Sequence, residues 1–334
     1  MAIFRKLLFP FSLLYDGITR TRNELYDQEI LKSEKYDLPV ICVGNLNTGG
    51  TGKSPMIEYL VKLLISEYRV ATLSRGYKRK TSGFWQLSGK ETAAEVGDEP
   101  LQFKRKFPNA IVAVDADRRS GIAELINKNA EVILLDDAFQ HRKVQAGLNI
   151  LLTSYNNLYS SDLVLPAGNL RESREGVKRA NIVIVTKCPT DIGAAEMEKI
   201  RVALNLNRNQ KLFFSYISYA EKIISENSEI TLDFLQEKEF VLVTGIANPK
   251  PLVNYLKDKK LNFQHRKFPD HHHFKENEIK SLAREGLILT TEKDYVRLKE
   301  QLSPSTLFYL PIETKLIKNQ EEFHREILEF VKTK

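Results

Sequence analysis

The segment Val43-Gly44-Asn45-Leu46-Asn47-Thr48-Gly49-Gly50-Thr51-Gly52-Lys53-Ser54 follows a short apolar run and precedes a helix-forming one, Pro55 to Ile65. Strand, glycine-rich loop and helix in that order build a cradle for phosphate: backbone N–H groups with no side chains in the way, and a helix N-terminus whose dipole favours negative charge. Lys53 is placed to pair with β- and γ-phosphates and Ser54 to offer its hydroxyl to Mg²⁺. Asn47, Thr48, Gly49, Gly50, Thr51, Gly52, Lys53 and Ser54 are therefore the nucleotide-binding candidates. Counting the pattern G-x-x-x-x-G-K-[ST] back from Gly52-Lys53-Ser54 puts Asn47 where the first glycine belongs, and Asn is expected to serve there because it tolerates positive φ.

A phosphate loop needs a second anchor for Mg²⁺. Glu131-Val132-Ile133-Leu134-Leu135-Asp136-Asp137 has the form of one, an apolar strand ending in a carboxylate pair. Apolar runs ending in Asp are common at strand ends, so it is the nearby phosphate loop that makes Asp136 and Asp137 metal candidates. A GTPase needs an Asn/Thr-Lys-x-Asp segment to read its base. Thr186-Lys187-Cys188-Pro189 ends in Pro, so GTP is disfavoured, although Thr291-Glu292-Lys293-Asp294 keeps that alternative open. Thr48 stands where the deviant loop of partner-switching membrane ATPases carries Lys, which weakens that reading.

These loops must be held by a sheet. Runs near Val40 to Val43, Val70 to Leu73, Ile111 to Val114, Val132 to Leu135, Asn149 to Leu152 and Ile182 to Val185 are rich in Val, Ile and Leu without alternation. Such runs suit parallel strands covered on both faces by helices, the α/β pattern of a P-loop NTPase-type sheet. A second group, near Phe240 to Val243, Asn262 to Phe268 and Leu287 to Leu289, predicts a smaller α/β domain. Lys211 to Tyr219 and Thr306 to Ile312 are aromatic and β-prone, and are expected to pair as a ribbon linking the two. The expected organisation is an N-terminal amphipathic helix over residues 1–30, a P-loop domain over 31–210, ribbon and smaller domain over 211–318, and a C-terminal helix over 319–334.

The N-terminal stretch bears on where the chain works. Phe4, Leu7, Leu8, Phe11, Leu14, Tyr15 and Ile18 recur at helical spacing, with Arg5, Lys6, Ser12, Asp16 and Arg20 between them. Such a stripe either packs on the protein's own core or lies in a lipid interface. It is too short and too interrupted to span a bilayer, and no small-residue cleavage site follows it. The net charge of +7 predicts an anionic partner, whether nucleic acid, a phosphorylated molecule or an acidic lipid surface. Basic stretches interleaved with aromatics are missing, so nucleic acid ranks low. Cys42 and Cys188 stand apart, which argues against a disulfide framework or a zinc cluster and for a reducing compartment.

Taken in order, Val43 to Pro55, Leu73-Ser74-Arg75-Gly76-Tyr77, Gly97-Asp98-Glu99-Pro100, Asp117-Arg118-Arg119, Leu134 to His141, Leu165-Pro166-Ala167-Gly168-Asn169-Leu170-Arg171-Glu172 and Phe268-Pro269-Asp270-His271 resemble the tetraacyldisaccharide 4′-kinases of lipid A synthesis over most of the chain. Lys78, where many relatives carry a second glycine, and Ala138, in place of an expected glycine, are departures. The resemblance implies ATP and Mg²⁺ as cofactors, an acylated glucosamine disaccharide 1-phosphate as lipid substrate, and a peripheral protein, expected monomeric, on the cytoplasmic face of the bacterial inner membrane. It also implies that Asp98 accepts the proton of the attacking hydroxyl with support from His271. Arg118 and Arg171 would contact phosphate or the transferring group, and Glu99, Gln140 and Glu172 would shape the site. On residue type alone, Asp98-Glu99-Pro100 reads as a helix start, Arg118-Arg119 as a solvated pair and His271-His272-His273 as a loop rather than a metal site. A kinase for a soluble metabolite and a regulatory NTPase at a membrane are the competing functions.

Overall fold

The computed structural model describes residues 5, 7–77, 79–270 and 272–334. In chain order the first elements are α1 (Phe9–Asp27), β1 (Val40–Asn45), α2 (Lys53–Leu64), β2 (Val70–Ser74), β3 (Trp85–Gln86), α3 (Ala93–Val96), α4 (Asp98–Lys106), β4 (Ile111–Val114), α5 (Arg118–Asn127), β5 (Val132–Asp136), β6 (Leu148–Ser154), β7 (Ile182–Thr186), α6 (Ala194–Leu204) and β8 (Lys211–Tyr219). There follow β9 (Lys222–Ile224), β10 (Glu229–Thr231), β11 (Phe240–Thr244), α7 (Lys250–Asp258), β12 (Phe263–Lys267), α8 (Glu276–Leu282), β13 (Ile288–Thr290), α9 (Glu292–Leu298), β14 (Leu307–Tyr309), β15 (Ile312–Leu316) and α10 (Gln320–Lys332).

Nine strands form one sheet in the order β15-β8-β7-β6-β1-β5-β2-β4-β3. The two edges are antiparallel to their neighbours and the interior is parallel. Every residue of β1, β2, β5 and β7 is buried, which explains their unbroken apolar runs. On one face, Met56, Ile57, Leu60, Val61 and Leu64 of α2 pack with Phe323, Ile327 and Val331 of α10. β1 lies between β5 and β6, and Val43 is in register with Asp136, so the two phosphate-site motifs sit on adjacent strand ends. That is where ligands collect in an open α/β sheet. Gly44 permits the approach: a Cβ there would meet Phe139 Cβ at 2.5 Å.

A second sheet has the order β10-β9-β14-β13-β11-β12, parallel from β14 to β12. The expected ribbon needs correction. The antiparallel partner of Lys211–Tyr219 is β15, with Ile312 opposite Tyr219 and Leu316 opposite Ser215, while residues 307–309 join β13 in the second sheet. β8 also extends the large sheet through β7, so it is no isolated ribbon. Pro311, lacking an N–H, marks the break between β14 and β15; aromatic content alone could not tell the two strands apart.

Helix α1 sits on the body through its polar side. Ser12 and Thr19 are buried, whereas Leu7, Phe11, Leu13, Leu14 and Ile18 are each more than half exposed. Ser12 Oγ accepts from the Ala167 N–H at 2.9 Å, the Tyr15 hydroxyl donates to the Arg171 carbonyl at 3.1 Å and Asn23 Nδ2 to Glu172 Oε2 at 2.6 Å. Of the two expectations for the stripe, packing on the core is excluded for its members Leu7, Phe11, Leu14 and Ile18. Phe4 and Lys6 lie outside the described residues. Among the described residues no helix is long and apolar enough to cross a membrane.

Candidate active site

The phosphate loop leaves β1 at Asn45 and enters α2 at Lys53. Gly49 and Gly52 have φ of +109° and +89°, which side chains resist. Asn47 does not have positive φ, contrary to the sequence reading. It is buried and Nδ2 donates to Asp162 Oδ2 at 3.1 Å, so Asn is there for its amide. The Leu165–Glu172 segment, which binds α1 on one side, holds the loop on the other: the Thr48 N–H donates to the Asn169 carbonyl at 2.7 Å and the Arg171 N–H to the Leu46 carbonyl at 2.8 Å. From β7, Thr186 Oγ1 donates to the Thr51 carbonyl at 2.6 Å and Lys187 Nζ to the Gly50 carbonyl. Thr186 and Lys187 thus brace the loop.

Lys53 Nζ lies 3.3 Å from Asn45 Oδ1 and 3.6 Å from Asp137 Oδ1. Arg171 grips Asp137 with both arms, at 2.8 and 3.1 Å, and Asp137 itself is left-handed at φ +52°. Gln140 Nε2 bridges the Asn45 carbonyl at 2.9 Å and Glu172 Oε1 at 3.0 Å, and Arg179 Nη2 reaches the same Glu172 oxygen at 2.8 Å. Glu172 is fully buried, so these donors are what let it be there. Arg118, expected at the phosphates, is buried behind β5, donating to the carbonyls of Asp115 at 2.8 Å and Asp136 at 3.3 Å. Burial holds its basicity down, while the nearby charges of Asp136 and Asp137 oppose that. Arg119 turns outward to Asp117.

Gly97, at φ +96°, ends α3 and launches α4 with Asp98 and Glu99 in the first turn. The segment is a helix start, but one aimed at the loop: Glu99 Oε1 accepts from Ser54 Oγ at 2.8 Å. Asp98 Oδ2 accepts from Arg297 Nε at 3.1 Å and also from Nη2, and Lys293 Nζ pairs with Glu99. Lys293 and Arg297, both on α9, were missed as site residues. Lys293 lies within Thr291-Glu292-Lys293-Asp294, read as a possible base-recognition segment, whereas Arg297 lies beyond it; here Thr291 caps α9 and Asp294 accepts from the buried Gly245 N–H at 2.8 Å.

The electrostatics divide the carboxylates. Burial raises Asp136, reinforced by the charges of Glu99 and Asp137 and opposed by Lys53 and Arg118. Burial also pushes Glu99 upward, but Lys293, Ser54 and Lys53 outweigh it and hold the carboxyl low. Asp136 Oδ1 is buried with no hydrogen-bond partner among the described residues. His271 lies outside the described residues. Its neighbour His272 stacks on Phe268 with centroids 4.9 Å apart and meets Glu278 Oε2 at 2.8 Å, which makes it a brace for the loop.

A parallel sheet with a glycine-rich loop feeding a helix, and a carboxylate-ended strand beside it, defines an enzyme of the P-loop class. The family model described as Tetraacyldisaccharide-1-P 4'-kinase (LpxK) matches residues 4–332. The chain belongs to this family, the 4′-kinases of lipid A synthesis. It is 51% identical over 337 residues to Tetraacyldisaccharide 4'-kinase of Flavobacterium johnsoniae, covering 99% of this chain and 98% of that protein. With the Parabacteroides distasonis protein of the same name it shares 45% identity over 97% and 94% of the two chains. The crystal structure of LpxK from Aquifex aeolicus in complex with ATP superposes with a TM-score of 0.80 at 33% identity, covering 98% of this chain and 99% of that one.

Proposed function

We propose that this chain transfers the γ-phosphoryl group of ATP to the 4′ hydroxyl of an acylated glucosamine disaccharide 1-phosphate, working at the surface of a membrane. The observation that carries the reading is the juxtaposition of Asp98-Glu99 with the phosphate loop, through the 2.8 Å hydrogen bond from Ser54 to Glu99. That bond supports the reading by joining the helix turn that carries Asp98 to the end of the phosphate loop.

Lys53 pairs with the phosphates, and the loop amides from Asn47 to Ser54 orient them. Asp98 accepts the proton of the attacking hydroxyl, supported by His271. Arg171 draws charge from the transferring group, Arg118 steadies the end of β5, and Gln140, Glu172 and Glu99 keep the walls of the site in place. Three carboxylates crowded together, with the Ser54 hydroxyl among them and an unpartnered oxygen on Asp136, suit Mg²⁺, which takes one or two carboxylates together with substrate phosphates. Ser54 and Asp136 would hold it, Asp137 being engaged by Arg171 and Lys53. When bound, the ion neutralises charge on the β- and γ-oxygens.

The outward apolar face of α1 is the surface proposed to rest in lipid, with the exposed Arg20 available to an anionic leaflet. Incubation with radiolabelled ATP and a tetraacyldisaccharide 1-phosphate in detergent, followed by thin-layer separation, tests the activity. Label should appear in a lipid bisphosphate. Hydrolysis of ATP without a labelled lipid, or label passed only to a soluble sugar, would overturn it.

A further inference from the structure

We infer that α9 is the mount for the proposed base, with Arg297 orienting Asp98 and Lys293 orienting Glu99, so that the second sheet contributes two positioning residues to a site built on the first. The inference rests on the reading of Asp98 as the base.

A carboxylate in the first turn of a helix can adopt several rotamers, whereas a base must be held within a fraction of an ångström of its productive position. Here a built mount restricts it. Asp294 is fully buried and accepts from the Gly245 N–H at 2.8 Å and from Thr291 Oγ1 at 2.7 Å. Arg297 Nη1 donates to Asp294 Oδ1 at 3.0 Å, which fixes the guanidinium on its own helix, and Nε and Nη2 then both reach Asp98 Oδ2. Arg297 is only 8% exposed, so this planar fork is shielded and directional, unlike a surface ion pair. One turn earlier, Lys293 engages the same Glu99 oxygen that accepts from Ser54, linking α9 to the phosphate loop. The helix also straddles two cores: Val296 packs with the first sheet's interior and Tyr295 and Leu298 with the second's. Displacing the second sheet therefore moves Arg297 relative to Asp98.

The test is a cycle on the full chain comprising Asp98→Asn, Arg297→Gln and the double variant, with Arg297→Lys as the charge-preserving control. Arg297→Gln should lower kcat by about 10- to 100-fold, the scale of a misplaced catalytic group, while the Kd for ATP moves less than about twofold. In the Asp98→Asn background the same change should cost less than about twofold, because residues acting as one unit are non-additive. Arg297→Lys, which keeps the charge without the fork, should fold and fall between. Equal losses in both backgrounds, wild-type kcat in Arg297→Lys, or a lowered Tm with unchanged kcat in Arg297→Gln would each reduce the pair to a tie between the sheets. Near-normal turnover of Asp98→Asn alone would overturn the base assignment instead. An inactive Asp98→Asn beside a near-normal Arg297→Gln would overturn only the inference drawn from α9.

Discussion

Asn47 replaces the glycine of the usual phosphate-loop pattern and has its own structural role. Its amide ties the loop to Asp162, which in turn accepts from Asn169 Nδ2 at 2.9 Å, so the loop and the Leu165–Glu172 segment share one carboxylate. Restoring the common residue should therefore weaken the protein. Asn47→Gly removes a half-buried charge-assisted hydrogen bond worth about 1.5–3 kcal/mol and adds backbone freedom, so the urea midpoint and the ATP affinity should both fall. An unchanged midpoint would show that Asp162 holds the segment without Asn47. At the same scale, Arg118 shows how residue type misleads: an Arg-Arg pair reads as solvated, yet Arg118 lies behind β5 while Arg119 faces out. The pattern of two cations in sequence contains nothing that assigns one of them to the interior.

Among the elements, α2, α4 and α9 meet in a buried polar cluster. Lys106 of α4 lies 2.6 Å from Glu58 of α2 and 2.7 Å from Glu292 of α9, and Gln102 donates to Glu58 at 2.8 Å. Burial, then the charge of Glu58, raises Glu292 to about 7 against the pull of Lys106. A carboxyl whose folded pKa lies above its unfolded value binds more protons when folded, so its contribution to stability is full below the unfolded pKa and is lost as pH rises through about 7. Glu292→Gln should flatten the decline in urea midpoint between about pH 4.5 and 7, and an unaltered pH profile would place the titration elsewhere. Helix α1 carries the opposite kind of surface. Phe11, Leu14 and Ile18 are 63%, 66% and 61% exposed, so changing all three to Ser should leave Tm nearly constant. Each such side chain fully buried in lipid is worth about 1.5–3 kcal/mol, so with all three inserted, binding to anionic vesicles should fall by about a thousandfold or more. Vesicle binding equal to wild type would remove this face from the membrane reading.

For the molecule as a whole, the last helix closes the first sheet although it follows the second in sequence. Phe323, Ile327 and Val331 are buried in the core beneath α2. Deleting residues 319–334 forfeits about 5–9 kcal/mol of burial at about 1.5–3 kcal/mol per side chain, comparable with the whole stability of a domain. The truncated chain should bind no ATP by calorimetry and should show broad, uncooperative unfolding. Much of this architecture was legible beforehand, because buried parallel strands impose unbroken apolar runs: Ile111 to Val114 is a strand with those bounds, β1, β2, β5 and β7 run one or two residues past the expected end, and β6 extends by one residue at its start and two at its end. The strand, glycine-rich loop and helix from Val40 to Leu64 and the strand ending at Asp136 were legible because such features are local, needing only an apolar run, small residues and a helix start. Nothing local reveals that β14 and β15 part company at Pro311, that α1 turns its leucines outward, or that Lys293 and Arg297 face Asp98 and Glu99 from about 200 residues away. The amino-acid order determined the phosphate site and the helix that begins at it, through hydrogen-bond geometry within a few residues. Which side of a helix meets water and which distant cation meets a carboxylate depend on how separate elements share buried surface, and only the packed tertiary structure decided those.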